Sequence, residues 1–259
     1  MLYTLRIMTI NKTNLAVVIM AAGKGTRMKN PNMAKVMYEI GGKPMVDQVV
    51  SLSRKLKASR ILLIVGWQRD SVVSYFSNQK DVEFVDQIEQ LGTGHAVMQT
   101  TQKLEDFDGD VLVLSGDVPL LTIQILENLI SLHRNDSATA TILTAELENP
   151  KGYGRIIRNP DGKVVKIVEQ KDANHEELKV TEINSGIYLF DKMKLFDALK
   201  HLKPNNAQGE YYLTDVFEYF WKNKWVVSAI KAPDPVEVIG INDLKQLEKA
   251  RIIFDRKRS

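Results

Sequence analysis

The sequence of 259 residues lacks cysteine and lacks any long apolar run. Without cysteine the chain cannot form disulfide bonds, thiolate metal sites or thiol nucleophiles, and such a composition suits a reducing compartment. No apolar run approaches the ~20 residues that a transmembrane helix needs. The first fourteen residues include Arg6 but no signal-peptide cleavage pattern. These absences predict a cytoplasmic protein, not bound to a membrane, whose chemistry depends on oxygen, nitrogen and metal ions.

A segment in which basic and aromatic residues alternate is also missing. The formal net charge is only +3, and aromatic residues make up 7% of the chain. The residues Arg256 to Arg258 form a short basic end, which we expect to be solvated and frayed. Nucleic-acid binding requires a basic stripe with exposed aromatic side chains, so no nucleic-acid partner is predicted.

Two common nucleotide-binding motifs are absent from the loop after the apolar run Leu15 to Met20. No Lys-Ser or Lys-Thr pair closes a P-loop, and the third glycine of the dinucleotide fingerprint is missing. The loop instead contains Gly23 and Gly25, which leave room for a polyanion to approach backbone N–H groups. An ordinary strand-to-helix turn would explain these glycines. It would not explain the basic residues crowded into the same connection, so the loop is predicted to bind phosphate; they are Lys24, Arg27, Lys29 and Lys35.

Short apolar runs alternate with segments of helical periodicity in the first half of the chain. Helices are predicted at Met45 to Leu56 and at Leu91 to Thr101. Continuously apolar, β-branched strands separated by helices are typical of a parallel sheet covered on both faces. We therefore expect one α/β domain with a doubly wound, mostly parallel mixed sheet. The predicted strands are Leu15 to Met20, Ile61 to Val65, Val82 to Val85 and Val111 to Leu114.

The second half of the chain has a different pattern, with more strands and fewer helices. The segment Asn159 to Gly162 is a strong tight-turn signal between two strands. Helices are predicted near Asp191 to Leu202 and near Thr214 to Lys222. We expect this half to continue the sheet and to cover one side of its cleft. The predicted strands are Thr139 to Ala145, Arg155 to Arg158, Val164 to Val168 and Ile183 to Phe190.

Asp117 is the most suggestive acidic residue, because it follows the buried run Val111 to Leu114. Ligands of doubly wound sheets collect beyond the carboxyl ends of the strands, where the loop after Met20 also lies. An aspartate at a strand end often caps the next helix. Beside a basic phosphate loop a magnesium ligand is the stronger interpretation, since Mg²⁺ prefers one or two protein oxygens together with phosphates and waters.

Nine short motifs, in order and without large gaps, resemble the uridyltransferase domain of the bacterial N-acetylglucosamine-1-phosphate uridyltransferases, within the sugar nucleotidyltransferase superfamily. The likeness runs from about Leu15 to about Leu247. It implies a Rossmann-like nucleotidyltransferase fold with an additional β-rich sugar-binding part. The motifs are Ala21 to Arg27, Gln87, Gln90 to Ala96, Gly116 to Leu120, Gly152 to Ile156, Val168 to Ala173, Glu182 to Gly186, Gln208 to Asp215 and Gly240 to Asn242.

The resemblance implies a role for each of three groups of residues. Arg27 and Lys35 would neutralise the triphosphate, and Asp117 with Asn242 would hold the catalytic Mg²⁺. A glutamine amide both donates and accepts hydrogen bonds, which matches the alternating edge of uracil. The residues that would hold the uracil and ribose of UTP are Met20, Ala21, Ala22, Gly23, Gln87, Gly92 and Thr93.

The sugar pocket implied by the resemblance is formed by polar residues of the second half. A carboxylate such as Glu169 suits a neutral sugar, because it accepts strong hydrogen bonds from hydroxyl groups. Each of these residues also has a plainer interpretation, for example Tyr212 as a packed side chain with its hydroxyl at the rim. The implied pocket residues are Gly154, Glu169, Asn184, Tyr212 and Thr214.

The four histidines are not predicted to act as bases. His95 is expected on a buried helix face, where it would be packed or hydrogen-bonded. His133, His175 and His201 occur in polar sequence surroundings and are expected to be solvated.

The reaction implied is transfer of UMP from UTP to N-acetylglucosamine 1-phosphate, by in-line attack of a phosphate oxygen on the α-phosphorus. The nucleophile is already an anion at neutral pH, so alignment and charge stabilisation matter more than a general base. Two alternatives stay open. One is a nucleotidyltransferase for another sugar phosphate or activated alcohol, and the other is a non-catalytic protein that binds nucleotide sugars.

The sequence also predicts how the chain is organised. We expect an N-terminal extension (residues 1–14) and a nucleotidyltransferase domain (15–259). The domain would comprise a nucleotide-binding half (15–136), a sugar-binding half (137–247) and a C-terminal tail (248–259). The bifunctional members of the family continue into a β-helical acetyltransferase domain that forms trimers, whereas this sequence ends at Ser259. We therefore expect no acetyltransferase activity, and a monomer or weak homo-oligomer.

Overall fold

The computed structural model describes residues 14–28, 30 and 32–257. Most of the expected N-terminal extension, together with Lys29 and Arg258, lies outside the described residues. The strands are β1 (Leu15–Met20), β2 (Glu39–Ile40), β3 (Lys43–Pro44), β4 (Arg60–Val65), β5 (Val82–Asp86), β6 (Asp110–Ser115), β7 (Ala140–Glu146), β8 (Arg155–Arg158), β9 (Val164–Val168), β10 (Glu182–Asp191) and β11 (Val227–Lys231). The helices are α1 (Met45–Lys55), α2 (Arg69–Phe76), α3 (Thr93–Met98), α4 (Ile123–Asn135), α5 (Lys192–Leu199), α6 (Val216–Lys222) and α7 (Leu244–Arg256).

One large mixed sheet organises the described part of the chain. Its strands follow the order β11-β7-β10-β6-β1-β4-β5, and β8 joins β10 and carries β9. The strands β6, β1, β4 and β5 are parallel neighbours, as are β11 and β7. Strand β10 runs antiparallel to both β6 and β7. The predicted fold class, a doubly wound and mostly parallel mixed sheet, is confirmed.

The sequence of strand β1 is continuously apolar because the strand is buried on both faces of the sheet. Val17 and Ile19 pack into the apolar cluster on one face of the sheet, whereas Ala16 and Val18 pack into the cluster on the other. All four side chains are fully buried. Because helices cover both faces, each residue of a central parallel strand meets an apolar environment.

The second half adds the antiparallel part of the sheet. Strands β8 and β9 form a hairpin whose turn is closed by the hydrogen bond from Gly162 N to Asn159 O at 2.9 Å, as the turn signal predicts. Strand β10 pairs with β7 through a register shift between Asn184 and Ile187. Such an irregularity bends a strand and changes the direction of its side chains, and here it lies beside Asn184.

The end of the chain corrects the prediction of a frayed terminus. Residues up to Arg256 belong to helix α7, which packs on the β2–β3 hairpin, where a Cβ added to Gly41 would lie 2.2 Å from Phe254 Cε1. Lys257 pairs with Glu237 at 3.0 Å. The apolar face of helix α7 is buried against the hairpin, and the basic residues at its end do not reveal this when they are read alone.

Helix α3 is also shorter than the predicted segment Leu91 to Thr101.

His133 is buried, which contradicts the prediction that it is solvated. Its side chain is 4% exposed, and Nδ1 lies 2.9 Å from the Thr141 hydroxyl across helix α4 and strand β7. Burial lowers the pKa of His133 to about 4, so the ring is neutral at pH 7. Its position on the inner face of α4, a helix not predicted from the sequence, explains the error. His175 and His201 are exposed as expected.

Helix lengths bear on membrane insertion. Helices α4 and α7 each contain 13 residues, or roughly 20 Å of axial length, against a hydrocarbon layer of roughly 30 Å. Across residues 14–28, 30 and 32–257, no helix combines enough length and apolarity to cross a membrane.

Candidate active site

A cavity of about 290 Å³ opens beyond the carboxyl ends of β1 and β6. This is the edge of the sheet where ligands of doubly wound folds bind. Lys35 and Asp117 lie in its wall, and so do all seven residues predicted to hold the nucleotide. These seven are Met20, Ala21, Ala22, Gly23, Gln87, Gly92 and Thr93.

Backbone hydrogen bonds hold the loop after β1 at this edge. Ala21 N donates to Ile64 O at 2.9 Å, and Trp67 N donates to Ala22 O at 3.1 Å. Gly25 has a φ of +57°, and a Cβ there would lie 2.5 Å from Lys35 Cβ. Only glycine tolerates this backbone conformation and close approach together. The loop can therefore fold back over the segment that carries Lys35.

Three residues far apart in sequence meet at one point in the site. The Lys35 ammonium forms an ion pair with Asp117 and donates to Asn242 Oδ1 at 3.1 Å. Ser115 Oγ donates to the other Asp117 oxygen at 2.8 Å. Ile241 N donates to Asp117 O at 2.9 Å, which fixes the segment before Asn242 against the turn after β6. A carboxylate and an amide oxygen thus converge on one cation.

The donor set of Asp117 and Asn242 fits a magnesium ion. Within the described ranges, no group of three or more His, Cys, Asp or Glu side chains could hold a metal ion on its own. Mg²⁺ does not need such a cage, because it commonly takes one or two protein oxygens and completes its shell with phosphates and waters. The Lys35 ammonium on both oxygens shows that this position accommodates positive charge.

Arg27 lies in the loop after β1, in a short 3₁₀ helix, and is exposed. No ion pair or hydrogen bond engages it within residues 14–28, 30 and 32–257. Its charge nevertheless acts on Tyr153, whose pKa is raised by burial and by Asp117 and is lowered by Arg27. Tyr153 therefore lies within electrostatic range of both Asp117 and Arg27, but Arg27 is not among the residues that line the cavity.

Four of the five predicted sugar-pocket residues are linked by a series of contacts that includes the Glu169 carboxylate. A Cβ added to Gly154 would lie 3.4 Å from each carboxylate oxygen of Glu169. Thr214 Oγ1 reaches Glu169 Oε1 at 3.4 Å. Asn184 N donates to Gly154 O at 3.0 Å, and its side chain donates to the Tyr188 hydroxyl at 2.6 Å. These contacts join β8, β9 and β10.

Glu169 lies in an acidic, poorly solvated environment. Burial raises its pKa, the hydrogen bond from Thr214 opposes this, and Asp215, Asp172 and Glu210 raise it further. No cation pairs with Glu169 in the described part of the chain. The Glu169 carboxylate can therefore accept hydrogen bonds from hydroxyl groups.

Tyr212, the fifth predicted residue, has its hydroxyl occupied. That hydroxyl accepts from Gln208 Nε2 at 2.7 Å and lies 3.3 Å from Asp172 Oδ2. Burial raises the pKa of Tyr212 to about 12, so it stays protonated. Tyr212, Glu169 and Thr214 line a separate cavity of about 520 Å³, which Gly154 and Asn184 do not reach.

The nucleotide cavity and the Glu169 cluster adjoin each other. Tyr153 lies within electrostatic range of Asp117 and Arg27, and a Cβ added to the next residue, Gly154, would lie 3.4 Å from the Glu169 carboxylate oxygens. Consecutive Cα atoms are only about 3.8 Å apart. On the other side, Leu213 N donates to Thr93 Oγ1 at 3.0 Å and links the nucleotide wall to the segment that carries Thr214.

Some residues in the cavity wall or directly behind it were not assigned a role in the site from the sequence. Gln90 Oε1 is buried in the cavity wall and has no hydrogen-bond partner among the described residues. Ser115 positions Asp117, and His95 contacts Gln87. Gln90 and His95 belong to the Gln90 to Ala96 motif, so a signal existed in the sequence. The contact of Ser115 with Asp117 follows from the turn geometry.

Solved structures of other proteins share this fold. A UDP-glucose pyrophosphorylase complexed with UDP-glucose aligns with a TM-score of 0.76 at 19% identity, covering 95% of this chain and all of the other. A protein from Bacillus anthracis described as a glucose-1-phosphate thymidylyltransferase aligns with a TM-score of 0.72 at 22% identity, covering 93% and 95%. At such identities the likeness establishes the fold alone.

Sequence relatives are closer. The bifunctional protein GlmU of Streptococcus uberis is 49% identical over 245 residues, which cover 95% of this chain and 53% of the relative. The GlmU of Geobacter sulfurreducens is 48% identical over 237 residues, which cover 92% and 50%. This chain thus spans about half the length of the curated relatives it matches. The nucleotidyl transferase family model matches residues 16–234, so the chain belongs to the nucleotidyl transferase family.

Proposed function

We propose that this protein transfers UMP from UTP to N-acetylglucosamine 1-phosphate, giving UDP-N-acetylglucosamine and pyrophosphate. The observation that carries the proposal is the adjacency of two unlike sites. One holds the convergent Lys35, Asp117 and Asn242, and the other is the uncompensated Glu169 cluster. The basic residues of the loop beside the first site suit a triphosphate, and a carboxylate with no cation paired to it suits the hydroxyl groups of a neutral sugar. The similarity to GlmU proteins supports this choice of substrates.

In the proposed reaction a phosphate oxygen of the sugar phosphate forms a bond to the α-phosphorus of UTP. The bond from that phosphorus to the bridging oxygen breaks, and pyrophosphate leaves with the electron pair. Since the attacking oxygen is an anion, no side chain needs to remove a proton. The chain contributes alignment of two substrates in adjoining pockets and positive charge from Arg27 and Lys35.

Asp117 and Asn242 would hold the magnesium ion. When bound, the ion would neutralise phosphate charge that develops in the transition state. Ser115 keeps one carboxylate oxygen of Asp117 directed by a hydrogen bond of 2.8 Å, and the Lys35 ammonium balances the carboxylate when no ligand is bound. Lys35 is thereby kept beside the phosphate loop through its contact with Asp117.

Gly154, Glu169, Asn184 and Thr214 would hold the sugar. Glu169 is the main acceptor, because its carboxylate has one weak partner, Thr214 Oγ1 at 3.4 Å. The Tyr212 hydroxyl already has two partners, so its proposed contribution is the shape of the pocket wall.

Several features of the organisation stay proposals. The division into a nucleotide-binding half (15–136) and a sugar-binding half (137–247) follows the adjoining sites. We propose a cytoplasmic location on the basis of the cysteine-free composition and the use of UTP. A monomer or weak homo-oligomer stays the prediction for the oligomeric state.

The test is pyrophosphate release from a matrix of nucleotides and sugar phosphates. UTP with N-acetylglucosamine 1-phosphate and Mg²⁺ should give the highest kcat/KM, ahead of glucose 1-phosphate or of dTTP. A higher value with another sugar phosphate would replace the proposed acceptor. Tight UTP binding with negligible pyrophosphate release would instead favour a non-catalytic binding protein.

A further inference from the structure

Gln87 lies at the nucleotide cavity with its amide held in one orientation. Its side chain is 4% exposed, and Nε2 donates to Gly92 O at 3.1 Å. A backbone carbonyl can only accept, so the amide nitrogen must face Gly92. The segment at Tyr211 packs closely against the Gly92 backbone. A Cβ added to Gly92 would lie only 2.5 Å from Tyr211 O, and Tyr211 N donates to Leu91 O at 2.8 Å. These contacts hold the Gly92 carbonyl in place.

His95 contacts the same nitrogen from the other side. Its Nδ1 lies 3.3 Å from Gln87 Nε2. Because that amide nitrogen is a donor, the ring nitrogen that meets it must accept, which leaves the ring proton on Nε2. The side-chain amide of Gln99 lies 3.1 Å from ring Nε2 and also donates to the His95 carbonyl at 3.1 Å. Since Gln99 is only half-buried whereas Gln87 is 4% exposed, the Gln99 amide is the one free to turn; its oxygen then accepts the ring proton, and its bond to the His95 carbonyl is given up.

Both hydrogens of the Gln87 amide are therefore used inside the protein. Its Oε1 has no hydrogen-bond partner among the described residues, although the side chain lines the nucleotide cavity. Gln87 can then only accept from a ligand at this point. This differs from the expectation that its amide both donates to and accepts from the base.

We propose that His95 is a positioning residue that, together with the Gly92 carbonyl, fixes the Gln87 amide so that the site selects uracil over cytosine. Uracil presents an N–H donor at position 3 of its pairing edge, which Gln87 Oε1 can accept. Cytosine presents an acceptor nitrogen there, so two lone pairs would oppose each other. This inference rests on the proposed function, since it takes a uridine nucleotide to be the ligand of this cavity.

His95 acts through Gln87 and does not itself line the cavity. Without the His95 ring, the Gln87 amide would keep one of its two hydrogen-bond acceptors. Rotation of the amide by 180° would then cost less free energy. A turned amide would present its NH₂ group to the ligand, which matches cytosine. Loss of His95 should thus change the preference between UTP and CTP, whereas general damage to helix α3 would weaken both nucleotides alike.

The experiment compares four full-length proteins: wild type, His95→Leu, His95→Asn and Met98→Ala. Leucine fills similar volume but has no acceptor, whereas the asparagine oxygen can stand at the place of Nδ1. Met98 lies on the same helix and packs against the apolar cluster. For each protein, UTP and CTP affinities are measured by calorimetry without sugar phosphate, and kcat/KM is measured for both nucleotides.

We expect His95→Leu to reduce the UTP-to-CTP ratio about fivefold, as loss of one hydrogen bond implies. His95→Asn should retain most of the wild-type ratio, and Met98→Ala should leave it unchanged. An unchanged ratio in His95→Leu, or an equal fall of the ratio in Met98→Ala, would overturn the role of His95. A wild-type protein that binds UTP and CTP equally would overturn the proposed uridyl transfer as well.

Discussion

The two adjoining sites use carboxylates in opposite ways. In the nucleotide cavity Asp117 is paired with the Lys35 ammonium and directed by Ser115. In the adjoining site, Glu169 pairs with no cation among the described residues, and it has a pKa raised by burial and other carboxylates nearby. The same functional group is thus prepared for a cation in one place and for neutral hydroxyl groups in the other. Local charge, more than residue type, separates phosphate recognition from sugar recognition.

This contrast suggests variants that should affect one site and spare the other. Asp117→Ala should give the largest effect, a loss of about a thousandfold in kcat, because it removes the carboxylate proposed to hold the metal. Pyrophosphate release at saturating substrates measures it. Asp110→Asn is a matched control, since Asp110 lies at the opposite end of the same strand. Near wild-type turnover in Asp117→Ala, with an unchanged melting temperature, would refute the proposed role.

Glu169→Gln should affect the other site. We expect KM for the sugar phosphate to rise about tenfold and KM for UTP to stay the same, because a neutral amide accepts weaker hydrogen bonds than a carboxylate. Steady-state kinetics with each substrate varied in turn gives both values. Glu177→Gln, which alters a carboxylate paired with Lys166 at 2.7 Å, serves as control. A rise in KM for UTP alone would reverse the assignment of the two sites.

Ser115→Ala should produce a smaller effect on the nucleotide side. It removes the 2.8 Å hydrogen bond to Asp117 while the ion pair with Lys35 stays. We expect kcat to fall about threefold, which corresponds to the free energy of roughly half to one hydrogen bond. KM for the sugar phosphate should not change. Ser53→Ala, which removes a hydroxyl that donates within helix α1, should have no effect on kcat. An equal fall in both variants would count against positioning by Ser115.

The smallest expected effect is that of Asp215→Asn, and it concerns thermal stability. Burial raises its pKa to about 6, and Glu218 and Asp172 add to this. The folded protein therefore binds this proton more tightly than the unfolded chain, so the contribution of Asp215 is greatest below its unfolded pKa and is lost as pH rises through 6. Asp215→Asn should raise Tm by about 2–4 °C at pH 8 and by less at pH 4.

Thermal melts at both pH values measure this difference. Asp161→Asn, in the exposed turn after β8, serves as a comparison that should not change Tm. If Asp215→Asn gave the same shift at pH 4 as at pH 8, the desolvated carboxylate would not be its source. The burial of this carboxylate near the sugar site would then have no measurable effect on the stability of the fold.

The central strands and the nucleotide loop could be predicted from sequence because their signals are local. The run Leu15 to Met20 is apolar on both faces, and Gly25 marks a turn with positive φ. Helix α4 and the burial of His133 could not be predicted in this way. The imidazole of His133 on helix α4 is hydrogen-bonded to Thr141 on strand β7, a partner that no local pattern identifies.

The site residues also divide into features with a local sequence signal and features set by tertiary contacts. Asp117 and Asn242 were named from motifs, but their meeting at the Lys35 ammonium depends on the turn after β6 and on helix α7, which holds Asn242 through Gln246. The Gln87 amide is a second case. Sequence identifies a group able to donate and accept, whereas Gly92 and His95 leave only its oxygen available.

By itself the sequence determined the sheet, the phosphate loop and the types of side chain available for chemistry, because these depend on periodicity and residue identity over short distances. Only the tertiary structure decided which charges are compensated and which hydrogen-bonding atoms stay free. Lys35 balances Asp117 across 82 residues of sequence, whereas no cation pairs with Glu169 in the part of the chain that the structure describes. Electrostatic fields and hydrogen-bond partners act through space, so local sequence does not contain them.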